Sequence, residues 1–409
     1  MRVLIVSQYF WPENFRINDV AAGLKERGHE VTVLTGIPNY PEGSFFRGYG
    51  IFRKEREDYR GVRVVRVPLV PRGKGTPLWL VMNYLSFALT ACCLGPFLCR
   101  GEFDMILVCQ LSPVTVGLPA LVFKKLRKAP VVFWVQDLWP ESLSATGAVR
   151  SPLLLKMVER LVRFIYSSCD LVLVQSEAFF RSVEGMGVPG DRILYLPNSA
   201  EEFYCPVPPE QDGEAGRGMP GGFRVMFAGN IGAAQDFDTI LAAAALLAEH
   251  RDIHWVIIGD GRMRSRVEEI IRERGLGGTV HLLGRHPVES MPRFFSLAHV
   301  MLATLRKEPI FALTVPGKIQ SYMACGRPVI AALDGEGARI VRESGAGVAV
   351  PAESPAALAA AVLSLYSMAE EERRKMGEQG RRYFESHFER NVLLSRLEGW
   401  MKELKGKAA

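Results

Sequence analysis

The chain has 409 residues, 48% of them hydrophobic and 23% charged, which is ordinary for a soluble globular protein and enough for two domains with their own cores. A net charge of +6 is too small to imply a nucleic-acid binder by itself. The seven cysteines are odd in number, lie mostly in apolar segments and form no CxxC pair, which excludes a disulfide framework and reads as reduced core residues of a cytosolic protein.

Arg2–Ser7 is a continuous apolar run, as expected of a strand in a parallel sheet covered on both faces. Met1–Phe10 therefore reads as the first strand, and Pro12 interrupts it before an apolar leader forms, so no signal peptide is expected. A helix over Val20–Arg27, closed by Gly28, and a strand over Val31–Leu34 complete a first β-loop-α-β unit. Arg47–Lys74 then holds nine basic and three acidic residues, with Phe45, Phe46, Tyr49, Phe52 and Tyr59 interleaved. Such a patch suits anionic lipid head groups or a pyrophosphate; nucleic acid is the weakest reading, and a plain solvated face needs no ligand at all.

Leu78–Cys99 carries no charge and is about long enough to cross a bilayer. Gly95 and Pro96 break its end, however, and a crossing there would put neighbouring strands of one domain in different compartments. A helix buried in the domain or lying in the membrane interface is the expectation, and the adjacent basic segment favours the interface. Further strands are expected at Val62–Val67, Met105–Cys109, Val131–Val135, Leu171–Gln175 and Ile193–Leu196, with a helix over Leu153–Ser167 whose Lys156, Arg160 and Arg163 share one face. This is an open, doubly wound α/β domain.

Residues 206–222 are rich in Pro and Gly without periodicity, and read as a linker between a domain at 1–205 and another at 223–385. The second domain alternates strands at Phe223–Ala228, His254–Ile258, Val280–Leu283, Val300–Ala303, Val329–Ala332 and Val348–Val350 with helices. A last helix, 386–409, is expected to pack back on the first domain. The fold class is thus α/β, two Rossmann-like domains whose sheets present their carboxyl ends to a common cleft, where ligands of such sheets bind.

Three strand-to-helix junctions of the second domain carry ligand-type chemistry. Gly229-Asn230-Ile231-Gly232 and Gly259-Asp260-Gly261 let the backbone approach a ligand, and Thr314-Val315-Pro316-Gly317-Lys318 opens a helix with free N–H groups beside a cation. Pro316 is expected as the first helical residue, with Gly326 ending the helix. Neither domain carries GxGxxG, so a dinucleotide cofactor is not supported. Asp236-Phe237-Asp238 has a metal-binding spacing but falls at a helix start, where Asp caps free N–H groups; no metal is expected. In the first domain Gln136 and Asp137 follow the Val131–Val135 strand, and the two carboxylates Asp137 and Glu141, with Trp139 between them, could orient a sugar and handle a proton, Asp137 best placed for it; Glu141 could equally cap a helix after Pro140. Asn39 and Tyr40 follow the second strand and are expected on the same side.

QYFWPENFRIND, RGHEVTVLTGIPNYPEG, FWVQDLWPES, HLLGRHPVESMP and VPGKIQSYMACGRPVI together resemble glycosyltransferase family 4, and within it the branch of the bacterial L-fucosamine transferases of O-antigen and capsule assembly. The resemblance covers nearly the whole chain. It implies a GT-B fold and metal-independent, configuration-retaining transfer from a UDP-sugar, without a cofactor. The acceptor implied is a lipid-linked saccharide at the cytoplasmic membrane face, and the sugar an N-acetylated amino or deoxyamino sugar. Lys318 and Asp137 would be catalytic. Gly229, Asn230, Gly232, Gly259, Gly261, Thr314, Val315, Gly317 and Ser321 would hold the donor, with Arg285 at the uracil, and Asn39, Tyr40, Gln136 and Glu141 would lie on the acceptor side. Three positions depart from the wider pattern: Leu313 and Ser321 stand where relatives carry a pair of glutamates, and Ala233 where they often carry Lys or Arg. These departures keep two alternatives open, a non-catalytic binding subunit and a UDP-sugar 2-epimerase on the same fold.

Overall fold

The computed structural model describes all residues except 52, 146–148, 150, 211 and 409; Phe52 of the basic segment therefore lies outside the described residues. The chain divides into two compact units, Met1–Pro197 with Leu393–Ala409, and Asn198–Val392. The Pro- and Gly-rich stretch 206–222 lies within the second unit.

In the first unit β1 (Arg2–Val6), β2 (Glu30–Gly36), β3 (Arg56–Tyr59), β4 (Val62–Val67), β5 (Met105–Gln110), β6 (Val131–Val135), β7 (Leu171–Val174) and β8 (Ile193–Tyr195) form one sheet in the order β3-β4-β2-β1-β5-β6-β7-β8. Every pairing is parallel except β3–β4. The central strands β5 and β6 are buried along their whole length, and β1 from Val3 onward, because helices cover both faces, which is why they read as apolar runs. The edge strand β3, sequence REDY, has no apolar signature and was not expected; it folds back on β4 and places Glu57 beside the buried guanidinium of Arg66, 2.9 Å away.

The Pro77–Leu98 helix seats Asn83, Phe87, Ala88, Ala91 and Gly95 against this unit and leaves Leu78, Val81, Leu85, Leu89 and Phe97 exposed. Asn83 is fully buried, accepting from Gln8 Nε2 at 2.7 Å and donating to the Val70 carbonyl at 2.6 Å. A bilayer crossing would tear these groups from their partners, so the segment lies on the domain as a one-sided helix.

The charged C-terminal region forms two helices, Glu370–His387 and Arg390–Ala408, interrupted at Phe388 and Glu389, rather than one helix from residue 386. From Leu393 onward the second belongs to the first unit: Leu393, Leu394, Leu397 and Met401 join the core formed by Ile17, Ala21 and Leu24. Glu398 accepts from Arg27 at 3.0 Å and meets the His29 ring at 2.7 Å.

The second unit's sheet contains β9 (Phe223–Ala228), β10 (Ile253–Ile258), β11 (Val280–Gly284), β12 (Val300–Thr304), β13 (Val329–Ala332) and β14 (Gly347–Val350). It is wholly parallel, in the order β11-β10-β9-β12-β13-β14. Numbered within the unit this is 3-2-1-4-5-6, the dinucleotide-fold order, in which the strand order reverses beside the first strand. The junction after β9 is therefore where a ligand crevice is expected.

Candidate active site

Three adjacent strands of the second unit end in glycine turns that are locked to one another. Gly229 N donates to Ile258 O at 2.9 Å, Gly259 N to Gly284 O at 2.7 Å, and Ile231 N to Asp260 O at 2.9 Å. Gly259 has φ +140°, and a Cβ there would lie 1.9 Å from the Gly229 carbonyl oxygen, so no side chain fits.

The helix Gly317–Ala324 begins one residue later than its sequence suggested, with Pro316 as the capping residue and Gly326, at φ +65°, closing it. Lys318, in the first turn, reaches the Gly229 turn: its Nζ lies 3.8 Å from the Phe227 ring centroid and donates to Gln235 Oε1. No carboxylate pairs with it among the described residues, and burial pushes its pKa from 10.5 down to about 7. Tyr322, one turn on, bridges the end of β9: its hydroxyl accepts from Ala228 N at 3.1 Å and donates to Ala228 O at 3.2 Å.

These elements enclose a cavity of about 740 Å³. Of the residues expected to hold a donor, Gly229, Asn230, Gly259, Gly261, Arg285, Lys318 and Ser321 line it. Gly232, Thr314, Val315 and Gly317 do not. The Thr314 hydroxyl donates to Phe311 O at 3.0 Å, the Val315 side chain is in the core, and the Gly317 carbonyl accepts from Ser321 Oγ at 3.2 Å. The serine hydroxyl thus donates inside its own helix and offers only its lone pairs to the cavity. Asp260, in the middle of the second glycine turn, also lines it, as do Arg262, His286, Phe295 and Tyr322, which were not singled out from the sequence. The Asp236–Asp238 pair caps nothing through its side chains: Asp236 sits at φ +47° without a capping hydrogen bond, and Asp238 is exposed, 3.5 Å from Arg306. A second cavity of this unit, about 540 Å³, is lined by Arg374, Glu378, Arg381 and Glu385, which form the pairs Arg374–Glu378 and Arg381–Glu385.

In the first unit the loop after β6 carries Gln136, Asp137 and Trp139. The Asp137 carboxylate accepts from Ser142 Oγ and, at 3.3 Å, from Trp139 Nε1, and its backbone carbonyl accepts from Gln110 Nε2 at 2.7 Å. Burial holds its pKa above the usual carboxylate value against these hydrogen bonds. Glu141, at the start of the Glu141–Ala145 helix, is likewise raised by burial. The Gln136 carbonyl accepts from Gln175 Nε2 at 3.0 Å.

Asn39 is structural: its Nδ2 donates to Ile37 O and its Oδ1 accepts from Arg72 N, so its amide knits two loops together. Tyr40 stands beside Tyr9 and Phe15, with ring centroids 5.8 and 5.3 Å away. The group holding this loop is Glu13, which accepts from the backbone N–H groups of Asn39 (2.8 Å), Tyr40 (2.7 Å) and Phe10 (3.3 Å). It is buried, and burial raises its pKa from 4.5 to about 7 despite those three donors. A lone carboxylate inside the apolar stretch Tyr9–Phe15 was the available signal for it. The basic segment is also less uniform than it reads, since Arg66 is buried and Arg72 half-buried among tyrosine rings.

Two family models match the chain, one described as glycosyl transferase 4-like domain over residues 14–199 and one as glycosyl transferases group 1 over residues 222–368. Together they span most of it. The probable glycosyltransferase WbjE of Pseudomonas aeruginosa is 30% identical over 257 residues, 61% of this chain and 64% of that protein, so the match spans less than two thirds of that relative's length. The putative colanic acid biosynthesis glycosyl transferase WcaI of Escherichia coli is 22% identical over 338 residues, 80% of this chain and 82% of that one. Among solved structures, Anabaena HepE in complex with UDP matches with a TM-score of 0.71 at 15% identity, over 98% of this chain and all of that one. Sucrose-phosphate synthase from Thermosynechococcus elongatus matches at 0.72 and 17%, over 99% of each chain. The structural likenesses establish the fold, and the two family models the lineage. The chain belongs to the group 1 glycosyltransferases, with the two Rossmann-like domains of the GT-B fold of glycosyltransferase family 4.

Proposed function

We propose that the chain is a retaining, metal-independent glycosyltransferase. It moves an N-acetylated amino or deoxyamino sugar from a UDP-sugar to a lipid-linked saccharide during assembly of a bacterial surface polysaccharide. The observation that carries the reading is Lys318: a cation with no carboxylate partner among the described residues, set over a glycine turn at the topological switch of the second sheet. A diphosphate is the ligand such a site favours. The complex of HepE with UDP, and the WcaI description as a colanic acid biosynthesis enzyme, support the nucleotide and the pathway class.

In this reaction the bond between the anomeric carbon and the diphosphate oxygen breaks, and its electron pair leaves with UDP. The acceptor oxygen bonds to the anomeric carbon on the same face, and its proton passes to the departing diphosphate. Lys318 and the backbone N–H groups of the glycine turns stabilise the charge that develops on the leaving group. Asp137 in the first unit orients the acceptor hydroxyl. The Pro77–Leu98 helix, with its exposed apolar side, and the exposed basic residues Arg47, Arg53, Arg56 and Lys74 favour a peripheral position at the cytoplasmic membrane surface.

The commitment of the Ser321 hydroxyl within its own helix favours a second reading, a binding subunit without turnover. Screening UDP-sugars for UDP release, with and without a polyprenyl-diphosphate saccharide, separates the two. Acceptor-dependent release supports transfer. UDP binding without release supports the binding subunit, and sugar-nucleotide turnover without acceptor indicates an epimerase.

A further inference from the structure

Within the first unit an apolar groove of about 430 Å³ runs between the Pro77–Leu98 and Pro152–Ser168 helices. That volume is within the roughly 300–1,000 Å³ typical of small-molecule sites. Leu80 and Leu85 form one wall and Val158 and Leu161 the other, and Asp137 and Trp139 lie in its lining. The apolar surface continues outward on both helices, where Leu78 is 69% and Leu153 70% exposed. So large a continuous apolar surface on a soluble domain marks a binding face.

What the groove binds is indicated by its charged neighbour. Tyr84, another lining residue, packs edge-on to Trp139 at 6.3 Å and has the Arg72 guanidinium 6.0 Å from its ring centroid. Arg72 lies 5.1 Å from the Tyr40 centroid and 5.7 Å from that of Tyr9, whose hydroxyl accepts from it. No carboxylate pairs with Arg72 among the described residues, and the aromatic rings around it hold the cation without neutralising it. Lys156 and Arg160 add exposed positive charge to the Pro152–Ser168 helix.

A long apolar slot that ends beside an unneutralised guanidinium matches a chain capped by an anion. We infer that the groove takes the isoprenoid tail of a polyprenyl diphosphate, with Arg72 holding the diphosphate at the Tyr84 end. This rests on the reading of the acceptor as lipid-linked, and gives that acceptor a seat within the first unit. Simple contact of the helix with bulk lipid would need neither the slot nor the arginine.

The test is displacement of a fluorescent farnesyl diphosphate analogue from the full-length chain with UDP present at saturation, so that the Lys318 site is occupied. Farnesyl diphosphate should compete at least tenfold better than either inorganic pyrophosphate or farnesol. Val158→Trp and Leu80→Trp, which fill the groove from opposite walls, should each weaken the probe tenfold or more. Arg72→Gln should abolish the preference for farnesyl diphosphate over farnesol, and Leu126→Ser, an exposed position outside the groove, should change nothing. Equal competition by pyrophosphate, or groove-filling variants that bind within twofold of wild type, overturns the inference; the competition in the wild-type protein needs no variant to fold. UDP titration in parallel separates the two readings: intact UDP binding with no tail preference refutes the groove alone, whereas absent UDP binding refutes the donor site.

Discussion

Lys318 makes UDP binding a proton-linked event with a defined sign. In the free protein burial holds its pKa near 7, so at pH 8 about one site in ten carries the charge. A diphosphate oxygen beside the ammonium raises the pKa again, to about 9 if the rise is in the middle of the 1–3 typical of an opposite charge within about 4–6 Å. Binding therefore takes up a proton above neutral pH, and UDP affinity falls as pH rises. With these values it falls about tenfold between pH 7.0 and pH 8.5, and uptake at pH 8 is about 0.8 proton per UDP. The terminal phosphate of UDP, ionising near pH 6, is charged throughout this window and contributes little. Isothermal titration in two buffers of different ionisation enthalpy reads both quantities directly. Lys318→Met should bind UDP more weakly and lose the pH dependence and the buffer dependence together. An affinity that is flat from pH 7.0 to 8.5 in the wild-type protein, or an equal slope in Lys318→Met, refutes the assignment of the ammonium to the diphosphate.

Other expectations follow from the same geometry. Gly259→Ala places a Cβ 1.9 Å from the Gly229 carbonyl at φ +140°, and should cost about 1–3 kcal/mol of second-unit stability in denaturant titration and abolish UDP binding. Asp137→Asn should leave UDP affinity within twofold of wild type and lower transfer about 10²-fold, the scale of misplacing a reacting group by about 1 Å, as read by product formation. Glu13 is one pH-dependent element of the first unit. Because its folded-state pKa is raised from 4.5 to about 7, its contribution to stability is fully present below pH 4.5 and is lost as pH rises to 7. Glu13→Gln should flatten that fall, which amounts to about 3 kcal/mol at most, in unfolding curves taken at pH 5 and pH 8.

The central strands of both sheets were legible because they are buried on both faces and so appear as apolar runs. The three junctions around Lys318 were legible for a related reason: glycines that permit close approach, and a lysine opening a helix, are local chemistry. What the sequence concealed depends on tertiary partners. β3 is polar because it is an edge strand, and nothing local separates REDY from a loop. Arg66 and Arg72 look like part of a solvated basic run, yet their environment comes from Glu57 on the neighbouring strand and from tyrosines distant in the chain. Asn39 follows a strand as a ligand-facing residue would, but both ends of its amide are taken by backbone, one by Ile37 of its own loop and the other by Arg72. Ser321 was placed on the donor side by the family resemblance alone, whereas the direction of its hydroxyl required the Gly317 carbonyl to be seen.

The central claim is that Lys318 carries transfer from a UDP-sugar to a lipid-linked saccharide. The most direct measurement is mass spectrometry of the lipid product after incubation with a panel of UDP-N-acetylamino sugars and a polyprenyl-diphosphate saccharide, for the wild-type protein and Lys318→Ala. The account predicts an acceptor lengthened by one sugar in the wild-type reaction. It predicts a rate at least 10²-fold lower in the variant, the scale of losing one preorganised charge-stabilising donor. Near-normal product from Lys318→Ala, or UDP binding by the wild-type protein with no lengthened acceptor from any sugar in the panel, would contradict it.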